Sequence, residues 1–355
     1  MINVTKTFLP PQEEYNAILK KAWDAGWITN RGALVLELEE KLKAYLKVSN
    51  IIAMTNGTLP LQIAIKALGL SGEIITPPFS YVATTSSIVW EGCTPVFVDI
   101  HPEYLTIDES KIEAAITSKT TGILATHVFG NPCAVEEIEI ISKKHNLKVI
   151  YDAAHCFGVT YKNKSIFEYG DVSTCSFHAT KLFHTGEGGA MFTNNMELHN
   201  KLFYHHNFGH KRKEDFQGLG INAKMSELQA AMGLTVLPYI DDILSNRERV
   251  VAVYAEELKG LQQLKLREEA NWNFAYFPIV FPTEIMLLKI QVELNKSNIY
   301  PRRYFYPCLT NLPYIEAKNC PVSQEISKHI LCLPLYDDIS NTDVLRICKI
   351  IKEAI

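Results

Sequence analysis

Lys148-Val149-Ile150-Tyr151-Asp152-Ala153-Ala154-His155 is an apolar run that stops on an acid and passes into small residues. A run without polar alternation fits a strand buried on both faces, as in a parallel sheet. Asp152 then stands at the carboxyl edge of that sheet, where open α/β folds bind their ligands. An unpaired carboxylate there is costly, so it requires a cationic partner or several donors. It serves either as the N-cap of the next turn or as the counter-ion of a protonated ring nitrogen.

Outward from this stretch the same texture repeats. Short apolar runs at 51–54, 74–76, 95–98, 122–126 and 172–177 alternate with helical periodicity at 11–24, 34–46, 61–68, 80–90 and 135–145. That alternation predicts an α/β fold with a mainly parallel central sheet flanked by helices. Beyond about residue 222 the pattern changes. A long helical stretch at 224–258, broken at Pro238, precedes a strand at 275–281, a helix at 284–295, a strand at 299–305 and a closing helix at 342–354. With 355 residues the chain exceeds the ~250–300 at which single cores stop growing. The expected organisation is a large α/β domain over 1–235 and a smaller C-terminal α+β domain over 236–355.

Composition narrows the function. The 35 basic and 39 acidic side chains give a net charge of −4, which leaves no basic footprint for nucleic acid. Hydrophobic residues at 47% exclude a largely disordered chain. No apolar stretch approaches the ~18 residues of a membrane helix, and the N-terminus lacks the apolar run of a signal peptide. The eight cysteines contain no C-x-x-C pair and read as reduced thiols, with Cys156 and Cys175 as core filler. A soluble cytoplasmic protein is expected. Neither G-x-G-x-x-G nor G-x-x-x-x-G-K-[ST] occurs, against a dinucleotide cofactor or a Walker loop.

Three further stretches carry chemistry. In Ser176-Phe177-His178-Ala179-Thr180-Lys181-Leu182-Phe183-His184-Thr185-Gly186-Glu187-Gly188-Gly189, a strand runs into a loop with one lysine and then glycines. Lys181 is either a solvated loop residue or an amine nucleophile, and the glycines would let backbone approach a flat ligand. Met54-Thr55-Asn56-Gly57-Thr58-Leu59-Pro60-Leu61 reads as strand, turn and helix, whose free amides and Thr58 hydroxyl suit an anion. Pro77-Pro78-Phe79-Ser80-Tyr81-Val82-Ala83-Thr84 sets two aromatics after a strand, as core residues or as a ring lying on a heteroaromatic group. An amine, a buried carboxylate, an anion-binding helix start and a stacking ring are together what pyridoxal 5′-phosphate requires. The basic loop His205-His206-Asn207-Phe208-Gly209-His210-Lys211-Arg212-Lys213 lacks carboxylate and thiolate ligands, so it reads as a substrate-lining or inter-subunit loop rather than a metal site.

On these residues the chain resembles the sugar-nucleotide aminotransferases of the DegT/StrS type, pyridoxal-phosphate enzymes of fold type I. The likeness runs from about Trp23 to the C-terminus and includes Gly26-Trp27-Ile28-Thr29-Asn30-Arg31-Gly32 and Gly220-Ile221-Asn222-Ala223-Lys224-Met225-Ser226-Glu227-Leu228-Gln229-Ala230-Ala231. The resemblance implies that Lys181 binds the cofactor covalently and then shuttles a proton, that Asp152 pairs with the pyridine nitrogen, and that Tyr81 stacks on the ring. It implies that Gly57, Thr58 and Ser176 hold the phosphate. Asn222 would reach the phosphate from the neighbouring subunit of a homodimer. His155, where the family commonly has glutamine, would donate to the phenolic oxygen. Other departures are Asn56 where serine is usual, and Ala223-Lys224 where many relatives have an aromatic residue followed by arginine. Lys181 argues against the dehydratase branch, which has histidine there.

The family moves an amino group, usually from L-glutamate, to a keto sugar on a nucleoside diphosphate. Residues 26–32 and 176–184, with Arg302-Arg303-Tyr304-Phe305-Tyr306-Pro307, resemble members that act at C4 of dTDP-4-keto-6-deoxy-D-glucose for O-antigen and related polysaccharides. Thr29, Arg302, Arg303 and Tyr304 are the expected substrate contacts. The guanidinium groups suit a diphosphate, although an acidic partner or solvent would also satisfy them. A C3 aminotransferase on a dTDP-3-keto-6-deoxyhexose, an enzyme for a UDP-linked 4-keto sugar, and a non-catalytic binding subunit are the alternatives.

Overall fold

A computed structural model describes residues 1–316 and 318–355. Seven strands form the central sheet: β1 (Ile51–Met54), β2 (Glu73–Thr76), β3 (Thr94–Phe97), β4 (Thr120–Thr126), β5 (Lys148–Asp152), β6 (Val172–Ser176) and β7 (Gly189–Phe192). Their order is β1-β7-β6-β5-β4-β2-β3. The pairs from β6 to β3 are all parallel, and β7 alone runs antiparallel to both of its neighbours.

The apolar runs are continuous because both faces of the sheet are covered. Ile123, Ala125, Val149 and Tyr151 face one core, packed by the helices Ala33–Leu46, Val135–His145 and Glu227–Val236. The alternate residues Leu124 and Ile150 face a second core, packed by the helices Leu59–Ala67 and Met196–His206. Successive side chains of a strand point to opposite faces, so the apolar residues of β4 and β5 meet a helix layer on either side.

A separate three-stranded antiparallel sheet joins Gln262–Gln263, Phe277–Val280 and Ile330–Leu333. The helices Ile240–Glu257, Glu284–Lys296 and Asn341–Ala354 close a third core around it. Helix Ile240–Glu257 serves both bodies: Ile240 and Ile243 lie in the first core, Val250 and Tyr254 in the third. Among the described residues no helix is long and apolar enough to cross a membrane.

Four expectations need correction. The helical stretch expected at 224–258 begins only at Glu227, where Ser226 and Gln229 form a capping box, while the expected break at Pro238 is present as a 3₁₀ turn, Leu237–Tyr239. The strand expected at 299–305 is regular only at Ile299–Tyr300, with a single further bridge from Arg302 to Cys332, because Pro301 lacks the N–H group a continuous ladder needs. The basic loop is in part regular: His205 and His206 end a helix, and His210–Arg212 forms a hairpin with Asp215–Phe216. Gly189 opens β7, with Gly188 just before it, and neither lines the cavity described below. A Cβ at Gly189 would stand 2.3 Å from the Asn56 carbonyl oxygen, so glycine is what lets β7 pass the turn after β1.

Candidate active site

The carboxyl ends of β5 and β6, the turn after β1 and the chain at 302–305 surround a cavity of about 400 Å³. Gly57, Thr58, Tyr81, Asp152, His155, Ser176, Lys181, Arg302 and Tyr304 all line it, so most of the expected residues converge. Asp152 and Ser176 are the last residues of their parallel strands, which places both at the edge where such sheets bind ligands.

Lys181 sits in the turn after β6, closed by its own N–H donating to the His178 carbonyl at 2.8 Å. Its Nζ lies 3.2 Å from the Tyr276 hydroxyl and 5.7 Å from the centre of that ring. Asp152 accepts from the Thr84 hydroxyl at 2.7 Å on one oxygen and from the Ala154 N–H at 3.1 Å on the other. Burial raises its proton affinity, and these two donors and Lys181 oppose that.

His155 accepts from the Phe129 N–H at 3.0 Å through Nδ1. Burial, followed by the charge of Lys181, holds it well below the ordinary histidine range, so the ring is neutral with its hydrogen on Nε2. That hydrogen is available to an acceptor in the cavity. Tyr81 stands at the mouth, half-exposed, tilted against Phe305 with centroids 6.4 Å apart.

The anion cradle differs from expectation. The Thr58 and Leu59 amides are not free: each donates to Asn56 Oδ1 at 2.9 Å. Asn56 thus supplies as a side chain the oxygen that an anion would otherwise supply. Open to an anion are the Thr58 hydroxyl and Ser176, among others; the Ser176 Oγ accepts from the His178 N–H at 3.4 Å and keeps its own hydrogen to donate. Gly57 makes room, since a Cβ there would stand 2.7 Å from Ser176 Cβ. The cavity therefore combines a hydroxyl cradle, a buried carboxylate, a neutral N–H donor and an amine, a donor set that fits pyridoxal phosphate.

Three expected residues lie outside it. Arg303 does not line the cavity: one terminal nitrogen of its guanidinium pairs with Glu284 at 2.6 Å and donates to the Lys328 carbonyl, and the group stacks on Tyr306. Thr29 is exposed and does not line the cavity. Asn222 forms a backbone bridge to Asn207, beside Ala223, which accepts from the Thr55 N–H. Within one chain it does not reach the cavity. A second cavity of about 490 Å³ lies by these residues, with Asn30, Arg31, His206, Phe208, His210 and Lys224 in its walls.

Sequence reasoning missed Tyr276, which looks like any aromatic in an apolar strand. It also left Thr84 unassigned, because Thr84 is one of four consecutive hydroxyl residues, Thr84 to Ser87, in helix Val82–Trp90, and the sequence does not single it out.

Comparison with known proteins agrees with this geometry. The model of the DegT/DnrJ/EryC1/StrS aminotransferase family matches residues 11–352. The chain is 40% identical to a dTDP-4-amino-4,6-dideoxy-D-glucose transaminase of Shigella dysenteriae, covering 99% of this chain and 98% of that protein. It is 38% identical to a transaminase of the same description from Escherichia coli, with the same coverage. The crystal structure of DesI in the presence of its TDP-sugar product superposes with a TM-score of 0.93 at 31% identity, over 99% of this chain and 92% of that one. An amine and a carboxylate facing one cavity at the carboxyl edge of the sheet, in a chain matched almost end to end, identify it as a member of the DegT/DnrJ/EryC1/StrS aminotransferase family.

Proposed function

We propose that the protein uses pyridoxal 5′-phosphate to move an amino group from L-glutamate to C4 of dTDP-4-keto-6-deoxy-D-glucose, giving dTDP-4-amino-4,6-dideoxy-D-glucose and 2-oxoglutarate. The observation that carries the chemistry is the convergence of Lys181, Asp152, His155 and Ser176 on one cavity. The choice of sugar rests on the two transaminases to which the chain is 38–40% identical. When bound, the cofactor supplies an electron sink for the carbon that loses a proton.

The chain's own residues have separable tasks. Lys181 Nζ is the nucleophile and carries the proton, and Tyr276 orients it by the 3.2 Å hydrogen bond. Asp152 would hold the ring nitrogen as a carboxylate, His155 Nε2–H would donate to the phenolic oxygen, and Tyr81 would cover the ring. Gly57, Thr58 and Ser176 receive the phosphate. Arg302, with its guanidinium 5.0 Å from the Tyr304 ring centre, offers the diphosphate a cation at the mouth. We place Asn222 at a neighbouring subunit's phosphate in a homodimer. Eight unpaired, buried cysteines support a reducing, cytoplasmic location.

The test is the visible spectrum of the purified protein, before and after L-glutamate, for wild type and Lys181→Ala. The expected result is a cofactor band that glutamate bleaches in wild type, and a variant that borohydride cannot label covalently. NMR of the aminosugar product then locates the nitrogen. Nitrogen at C3 would replace the C4 reading, and a wild-type protein that takes up no cofactor would leave only a binding role.

A further inference from the structure

Asp152 ends a chain of hydroxyls whose hydrogens run in one direction only. The Thr84 hydroxyl donates to Asp152 Oδ2 at 2.7 Å. That uses its only hydrogen, so at the 2.7 Å contact between Thr84 and Ser80 the serine must be the donor. Ser80 in turn accepts from the Thr126 hydroxyl at 3.1 Å. All three hydroxyls are buried, none more than 3% exposed. The fold supplies this order from two elements. Ser80 and Thr84 flank the start of helix Val82–Trp90, and Thr126 ends β4 directly opposite Asp152 in the register of β5.

An ionised carboxylate only accepts, so it fixes the polarity of the whole chain, and each donor along it strengthens the next. Burial pushes the Asp152 proton affinity up, and donated hydrogen bonds push it down. The charge that bears on this carboxylate is that of Lys181, and the thiols of Cys133, Cys156 and Cys175, their proton affinity raised first by burial, feel the carboxylate in turn. None of these fixes its orientation, because among the described residues only Thr84 and the Ala154 N–H are hydrogen-bonded to the carboxylate.

We propose that Thr84, backed by Ser80 and Thr126, is a positioning residue that keeps Asp152 ionised and weakly basic, so that a proton shared with the cofactor's ring nitrogen stays on the ring. This rests on the pyridoxal phosphate reading above. Without the hydroxyl the carboxylate becomes the stronger base, the proton moves to it, and the ring loses the charge that makes it an electron sink.

The test uses Thr84→Val, which removes the hydroxyl at nearly constant shape, Thr84→Ser, which retains it, and Ser80→Ala, which cuts the chain one link further back. In holoenzyme reconstituted with ring-¹⁵N pyridoxal phosphate, wild type and Thr84→Ser should show a protonated ring nitrogen, and Thr84→Val a largely neutral one. The kcat of Thr84→Val should fall about ten- to hundredfold, the worth of one hydrogen bond to a charged group, with the KM for the sugar nucleotide unchanged. Ser80→Ala should shift both readouts the same way by less. In cofactor-free protein, the infrared band of protonated Asp152, assigned by its loss in Asp152→Asn, should appear at higher pH in Thr84→Val than in wild type. Equal ring protonation, or equal Asp152 titration, in wild type and Thr84→Val overturns the proposal. A wild type that takes up no cofactor overturns the cofactor reading, and the infrared titration still decides whether the hydroxyl chain governs Asp152.

Discussion

Acid should destabilise this fold through a histidine that has no room for a second proton. His127 is fully buried, stacked on Tyr151 with centroids 4.4 Å apart, and accepts from the Cys133 N–H at 2.9 Å through Nδ1. Its Nε2 has no hydrogen-bond partner, and burial together with the nearby Arg267 pushes its pKa down to about 3. The folded pKa lies below the unfolded value of ~6.5, so the unfolded chain binds the extra proton, and stability present above pH ~6.5 is lost as the pH falls towards the folded value. At about pH 5 an unfolded histidine is favoured by RT ln(1 + 10^1.5), or about 2 kcal/mol, while His127 in the fold is still neutral. His127→Phe keeps the stacked ring and removes the titration. Its orphaned Cys133 N–H lowers stability at every pH by about 1–3 kcal/mol, so the readout is the pH slope rather than the absolute value. Urea unfolding followed by tryptophan fluorescence at about pH 7.5 and about pH 5, at fixed protein concentration, should show wild type losing about 2 kcal/mol more than the variant. Glu39 and Asp152, whose pKa values burial raises, act in the opposite sense in both proteins and cancel in the difference. Equal losses in the two proteins would refute the argument.

Other perturbations separate the roles within the site. Tyr276→Phe removes the hydroxyl beside Lys181 and should lower kcat about tenfold in a steady-state assay, with the urea midpoint nearly unchanged. Gly57→Ala drives a Cβ to within 2.7 Å of Ser176 Cβ, and the overpacking should weaken cofactor affinity about tenfold or more in an absorbance titration. Arg302→Ala should raise the KM for the sugar nucleotide about tenfold. Arg303→Ala should leave that KM alone and lower stability by about 1 kcal/mol, because its partner is Glu284.

The central sheet was legible because burial on both faces writes itself as unbroken apolar runs. The strand at 51–54 and the helix at 135–145 match residue for residue. β7 was hidden because Gly188 and Gly189 imitate a loop, when the constraint on Gly189, the first residue of β7, is the Asn56 carbonyl in the turn after β1. The residues of the site were legible where a special type stood at a strand end, as with Asp152, or in the loop that follows one, as with Lys181. What local sequence does not record is the partner a side chain finds across the fold. Arg303 and Arg302 are adjacent and alike, yet one meets Glu284 and the other faces the cavity. Asn56 looked like a turn residue and in fact occupies the amides of its own helix start.

The chain that carries Arg302 and Tyr304 is tied down at two places that belong to different bodies. Arg302 exchanges two backbone hydrogen bonds with Cys332 of the small sheet, and the Leu309 N–H donates to the Pro78 carbonyl beside the central one. A wall anchored at both ends is ordered before any ligand arrives, so association need not spend conformational entropy on it. Loosening either anchor therefore weakens affinity by slower arrival at the bound geometry and easier escape from it, with every contacting side chain still in place.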